Sequence, residues 1–146
     1  EELMRVTNTN YTAIACFFNV VAPLFCKRGR GFIIGISSVA GDRGRSSNYI
    51  YGASKAAFSA YLSGLRQSLG GRGIHVLTVK PGFVDTAMTE GMDLPEKLTA
   101  SPQKVAKDIF NAQNKGRSIV YTMPIWLLIM MLVKITPEFI FKRLKL

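Results

Sequence analysis

The sequence predicts an α/β fold built on a parallel sheet, and three segments carry that prediction. Gly31-Phe32-Ile33-Ile34-Gly35-Ile36-Ser37-Ser38 is a short apolar run closing on two hydroxyls. That is the pattern of a buried strand delivering a side chain at its carboxyl end. Residues 54–69 repeat their apolar positions at helical spacing, and Ile74-His75-Val76-Leu77-Thr78-Val79-Lys80 is a second strand stopped by Pro81-Gly82. Strand, helix and strand in that order make a parallel βαβ unit, whose ligand crevice lies at the strand carboxyl ends. Ser38 falls at one such end and Pro81-Gly82 at the next.

The remaining elements follow in chain order. Glu2 to Phe25 reads as a helix, apolar at Val6, Ala13, Phe17, Val20, Val21 and Leu24. Asp42 to Asn48 is a polar loop placed to line a substrate mouth, and the helix bearing Tyr51 follows it. Thr86 to Ala100, with Met88, Met92 and Leu94, reads as a lid, and methionine suits an apolar ligand as well as plain packing. Ser101-Pro102 caps a helix running to about Lys115, because proline is tolerated at the first helical position. Gly116 ends it, and Ser118 to Tyr121 is a last short strand.

Tyr51 and Lys55, in Tyr51-Gly52-Ala53-Ser54-Lys55, carry the chemistry. Residues four apart share one face of a helix, so phenol and ammonium sit side by side. A fixed positive charge favours a phenolate, which makes Tyr51 a proton donor and acceptor for interconverting an alcohol and a carbonyl. Ser38, thirteen residues before Tyr51, is placed to hydrogen-bond the same substrate oxygen as charge builds there. Ser37 would point to the opposite face of the strand.

Here the chain resembles the short-chain dehydrogenase/reductase family. The likeness runs through Thr9-Asn10-Tyr11-Thr12-Ala13, Ile36-Ser37-Ser38-Val39-Ala40-Gly41, the Tyr51 block and Lys80-Pro81-Gly82-Phe83-Val84-Asp85-Thr86. It implies the C-terminal part of a doubly wound Rossmann-type sheet, with residues 1–122 as the catalytic part of one domain. It also implies roles: Tyr51 as general acid/base, Ser38 as the carbonyl-polarising hydroxyl, and Lys55 as support for Tyr51 and a ligand of the nicotinamide ribose. Asn10 would hold a water linking Lys55 to a proton relay. Pro81, Gly82, Val84 and Thr86 would close over the nicotinamide, with the Val84 backbone facing its carboxamide. The implied cofactor is NAD(P), with a lean to NADP that no residue here decides. The implied substrate is a small-molecule carbonyl or alcohol, and the full-length protein is expected to be a homo-oligomer.

Neither G-x-x-x-G-x-G nor G-x-G-x-x-G precedes Asn10, and Gly29-Arg30-Gly31 follows a helix instead of a strand, the wrong order for a phosphate turn. The dinucleotide-binding strands of the family pattern are therefore absent from this chain. A sheet without them exposes an apolar face and an unpaired edge, so the chain alone is expected to fold poorly.

Composition narrows the partners. The net charge of +10 is spread along the chain without interleaved aromatic residues, which does not match a nucleic-acid footprint. Cys16 and Cys26 fall on different sides of a helix and His75 stands alone in a strand, so neither a disulfide nor a metal site is indicated. Two such cysteines suit a reducing cytoplasm.

Residues 123–146 form an apolar and basic tail. Pro124 to Val133 is nearly continuous apolar sequence, too short for the roughly 20 residues that span a bilayer. Beyond it, Phe139, Ile140, Phe141 and Leu144 mix with Lys142, Arg143 and Lys145. Two readings stand. The tail is an interfacial helix, with Trp126 at the headgroups and the bases on anionic lipid at the inner face of a membrane, or it packs on the body or a partner subunit. The tail is also similar to those of reductases acting on lipid-linked substrates, which would make the substrate apolar. Two function classes follow: an NAD(P)-dependent oxidoreductase, or a non-catalytic fragment serving as an interaction or membrane-surface module.

Overall fold

The structure, a computed structural model, describes residues 1–144. Helix α1 (Glu2–Arg28) is interrupted once, by a wide π turn at Asn8–Thr12. It stops at Gly29, whose left-handed φ of 70° closes the helix end at no steric cost. Strand β1 (Gly31–Ile36), helix α2 (Tyr49–Leu69) and strand β2 (Ile74–Lys80) follow. The short strands β3 (Phe83–Val84) and β4 (Thr99–Ala100) precede helix α3 (Pro102–Asn114) and strand β5 (Ile119–Tyr121). Helices α4 (Ile125–Ile135) and α5 (Glu138–Phe141) complete the described chain.

The main sheet is parallel throughout, in the order β1-β2-β5. Its register sets Gly31 beside Ile74 and Ile36 beside Val79, then Thr78 beside Ile119 and Lys80 beside Tyr121. β3 and β4 form a separate parallel pair, Phe83 with Thr99 and Val84 with Ala100. Helices cover both faces of the main sheet, as the doubly wound reading expects. Ile33 and Val76 pack with Phe58, Leu62 and Ala22 under α2 and α1. On the other face Leu77, Val79 and Val120 meet Ala112 of α3. β2 is buried on both sides from Val76 to Val79, so apolar residues there do not alternate strictly with polar ones.

The periphery is less covered. β1 pairs only with β2 among the described strands, and its Phe32 and Ile36 are half exposed on the α3 side of the sheet, flanking Ile34. The outward face of α1 shows Phe17, Val20 and Leu24 to solvent. By length and composition α1 is apolar enough to cross a membrane, yet its inward residues Ala15 and Ala22 are packed into the body.

One boundary differs from the expectation. β1 ends at Ile36, short of Ser38, because the chain turns there into a 3-10 turn at Val39–Gly41 capped by Ser38. α2 begins at Tyr49, directly after the polar loop, so Tyr51 lies in its first turn. The cap expected at Ser101 is present, its Oγ accepting the Lys104 N–H at 3.2 Å.

The start of the tail is packed against the body. Trp126 and Met130 are buried with Val39, Phe83, Leu98 and Tyr121. Trp126, which the interfacial reading sets among headgroups, is only 5% exposed. The reason is steric: the indole occupies the space a side chain at position 82 would need, since a Cβ on Gly82 would fall 1.9 Å from Trp126 Nε1. Met123 turns the chain into α4 with a left-handed φ of 60°, strained for a residue bearing a Cβ, and Asp108 accepts its N–H at 3.3 Å. Lys145 and Leu146, the end of the expected basic tail, lie outside the described residues.

Candidate active site

Two glycines set the distance between the serine turn and the tyrosine helix. A Cβ on Gly41 would lie 2.7 Å from Ala56 N, and one on Gly52 would lie 2.9 Å from Ala40 O. Both obstacles are backbone and cannot rotate away, so α2 meets the Val39–Gly41 turn main chain to main chain. Any side chain at either position would push the two apart.

Ser38 is buried, and its Oγ accepts the Ala40 N–H at 3.1 Å. Its own hydrogen points to Pro81 O at 3.5 Å, longer than a good hydroxyl hydrogen bond. The oxygen is thus held while the proton remains easy to redirect. The Ser37 hydroxyl is turned towards α2, donating to Lys55 O at 2.9 Å and sitting 2.7 Å from Ser59 Oγ.

Tyr51 and Lys55 share one face of α2, with Nζ 5.7 Å from the phenol ring centroid. Lys55 Nζ donates to Ile36 O at 3.2 Å, which ties the ammonium to the end of β1. Burial pushes its pKa below the ordinary lysine range. Of the ammonium's three donors, that bond uses one. Asn10 sits in the π turn of α1, whose widened backbone carries its side chain towards α2. Its Nδ2 donates to Ser54 Oγ at 3.2 Å, and Ser54 Oγ donates to Tyr51 O at 2.7 Å.

Ser38, Tyr51 and Lys55 line one cavity of about 430 Å³ at the carboxyl ends of β1 and β2. Pro81, Gly82, Val84 and Thr86 line it as well. Asn10 does not; it stands behind Ser54. Phe83, Met88, Met92 and Trp126 form an apolar wall of the same cavity, and Arg45 and Asn48 complete the lining. Trp126 meets Phe83 edge to face, with ring centroids 5.4 Å apart, and its Nε1 donates to Leu98 O at 3.1 Å.

The loop from Asp42 to Asn48 is anchored through its first two residues. Asp42 is buried, pairs with Lys80 and accepts the Tyr121 hydroxyl at 2.6 Å. Burial, followed by that carboxylate contact, holds the Tyr121 phenol above its ordinary range. Arg43 reaches the end of α4, donating to Val133 O at 2.6 Å and to Glu138 at 2.8 Å, with its guanidinium 3.7 Å from the centre of the Phe141 ring. It thereby satisfies a carbonyl at a helix terminus that lacks partners of its own.

Sequence reasoning missed Gly41 and Gly52 as spacers, and Trp126 as a lining residue. The polar loop and the lid were legible as parts of a mouth. Nothing local announces that a tryptophan beyond the last strand folds back onto Gly82.

The family model for short chain dehydrogenases matches residues 1–97. An uncharacterized oxidoreductase of Mycobacterium tuberculosis is 37% identical over 143 residues, an alignment covering 97% of this chain and 56% of the relative. The chain thus spans just over half the length of that curated relative. Among solved structures, a short chain dehydrogenase from Burkholderia cenocepacia in complex with NADP superposes with a TM-score of 0.82 at 22% identity, over 94% of this chain and 56% of that one. A short-chain dehydrogenase from Sphingobium yanoikuyae in complex with NADPH gives 0.72 at 26% identity, over 88% and 55%.

Proposed function

The chain belongs to the short chain dehydrogenase family, and we propose that the intact protein is an NAD(P)-dependent oxidoreductase of carbonyls and secondary alcohols. The observation that carries this reading is the convergence of Ser38, Tyr51 and Lys55 on one cavity at the strand ends. The donor set suits the nicotinamide end of such a cofactor: Lys55 keeps donors for ribose hydroxyls, and the main chain from Pro81 to Thr86 runs along the same cavity. Lys55 and Tyr51 would hold the ribose, and the Val84 backbone the carboxamide. Structural relatives bound to NADP, NADPH and NAD support a nicotinamide dinucleotide of either kind. When bound, the nicotinamide supplies hydride to a carbonyl carbon or takes it from a carbinol.

The chain's own residues manage the oxygen and its proton. In reduction, Ser38 turns its hydroxyl from the long Pro81 contact to the substrate oxygen, stabilising the developing negative charge. Tyr51 delivers the proton to that oxygen. Lys55 beside it offsets the charge left on the phenol. Asn10 holds a water that returns a proton through Lys55. In oxidation the same groups run in reverse, with Tyr51 as base.

The test is hydride transfer by the intact protein, followed as reduced-nicotinamide absorbance with both cofactors, in wild type and Tyr51→Phe. Turnover should fall by about a thousandfold or more with an unchanged melting temperature. A Tyr51→Phe protein that keeps its turnover would remove the acid/base assignment.

The apolar wall of Phe83, Met88, Met92 and Trp126 supports an apolar, lipid-like substrate. The exposed face of α4 supports delivery from a membrane surface. Leu127, Leu128, Met131, Leu132 and Ile135 are solvent-facing there, with Lys134, Lys142 and Arg143 alongside to meet anionic headgroups. Leu128→Glu with Leu132→Glu changes exposed positions only. It should abolish co-sedimentation with phosphatidylglycerol vesicles while leaving the fold intact; undiminished co-sedimentation would refute membrane contact.

A further inference from the structure

Arg45 lines the catalytic cavity together with Asn48, Tyr51 and Trp126. It makes no ion pair among the described residues, and its Nε is buried without a hydrogen-bond partner. Asn48 Oδ1, in the same lining, is also buried and unpartnered. The acids of the neighbouring segments are engaged elsewhere: Asp42 by Lys80 and Tyr121, and Glu138 by Arg43. Burial lowers the pKa of the Arg45 guanidinium, a cost no neighbouring carboxylate offsets. A half-buried cation whose buried Nε donates to nothing is suited to an anionic partner.

The setting favours an anion further. Asn48 is the N-cap of α2, a helix of 21 residues, and its side chain makes no capping bond there. The positive end of the helix dipole therefore opens beside Arg45. Asn48 can also donate through its amide nitrogen, and its idle oxygen suits a hydroxyl. The reactive groups Tyr51 and Ser38 belong to the same cavity, with the apolar side chains of Phe83, Met92 and Trp126 among its other lining residues.

We propose that Arg45, assisted by Asn48, is the anion subsite of the cavity, so that the substrate is an apolar carbonyl or alcohol carrying a carboxylate or phosphate. This deepens the oxidoreductase reading and rests on it for the identity of the cavity. Arg45 holds the anionic end by charge-assisted hydrogen bonds, while the aliphatic part lies against Trp126 and the lid methionines.

The test is equilibrium binding by calorimetry to the intact protein, with decanoate and decanol as probes at neutral pH. Neither is turned over as a ketone, so the readout is separate from activity. Decanoate should bind wild type at least about tenfold more tightly than decanol, the size of one charge-assisted contact. Arg45→Gln should erase that preference and leave decanol affinity unchanged, and Arg45→Lys should keep part of it. No preference in wild type, an undiminished preference in Arg45→Gln, or equal loss of both probes would each overturn the subsite. If Arg45→Gln instead weakens NADPH but not NADH, the anion belongs to the cofactor and the substrate subsite is likewise overturned. Arg45-dependent decanoate binding by a protein with no hydride-transfer activity would refute the oxidoreductase reading and leave the anion site standing.

Discussion

The wall carrying Ser38, Tyr51 and Lys55 is held by main chain pressed on main chain, whereas the facing wall of Phe83, Met92 and Trp126 is held by side chains from separate segments. On the first wall, Gly41 and Gly52 let a turn and a helix touch, and the hydrogen bonds of Ser38 and Lys55 end on backbone atoms. On the second, an indole lies over a glycine and one arginine clips the end of its helix. The first arrangement leaves no freedom in the distance between reacting groups. The second leaves room for substitution, since a side-chain wall can be reshaped without moving the backbone beneath it. Chemistry needs the former, because a misplacement of about 1 Å can cost about a hundredfold in rate. Selectivity can live on the latter.

Tyr51→Phe tests the first wall at its centre, and Trp126→Ala is the corresponding cut in the second. Removing a buried indole should cost about 3–5 kcal/mol of stability, read by chemical denaturation of the intact protein. In the protein that remains folded, KM for bulky apolar ketones should rise more than kcat falls. A variant losing kcat with KM unchanged would place Trp126 among the reacting groups and dissolve the contrast between the walls.

Gly52→Ala probes the close approach. Alanine is the better helix former, so propensity alone predicts a gain. The 2.9 Å clash with Ala40 O predicts the reverse, a loss of about 1–3 kcal/mol together with reduced turnover, as Ser38 and Tyr51 separate. Melting temperature and kcat decide between them; a more stable, fully active variant would show the contact to be incidental.

The smallest effect concerns Lys55. Burial depresses its pKa in the folded state, so at neutral pH the folded protein carries the charge at a cost the unfolded chain does not bear. The cost is relieved as pH rises through the folded pKa towards the ordinary lysine range, where the unfolded chain still binds the proton. The stability of Lys55→Met relative to wild type should therefore be greatest near neutrality and shrink between pH 7 and pH 10. Denaturant midpoints at the two pH values measure it; a difference that widened would mean the contact with Ile36 O outweighs desolvation.

The parallel sheet was legible because its signals are local. An apolar run closing on Ser37-Ser38, a helical period and a run stopped by Pro81-Gly82 can each be read within a few residues. Helix period likewise sets Tyr51 beside Lys55 whatever surrounds them. The π turn beneath Asn10 was not legible, since Asn8–Thr12 has no residue that demands a widened turn. The start of α2 at Tyr49 was, because the polar run from Asp42 ends at Asn48.

The sequence by itself determined the order of strand and helix and which side chains are candidates for the chemistry, because periodicity and covalent spacing act over one or two turns. Only the tertiary structure decided which residues face those groups. Trp126 packs onto Gly82, and Arg43 reaches the carbonyl of Val133, across long stretches of chain. Such contacts depend on shape and on which backbone atoms lack partners once the sheet has formed, and neither is written at any one position.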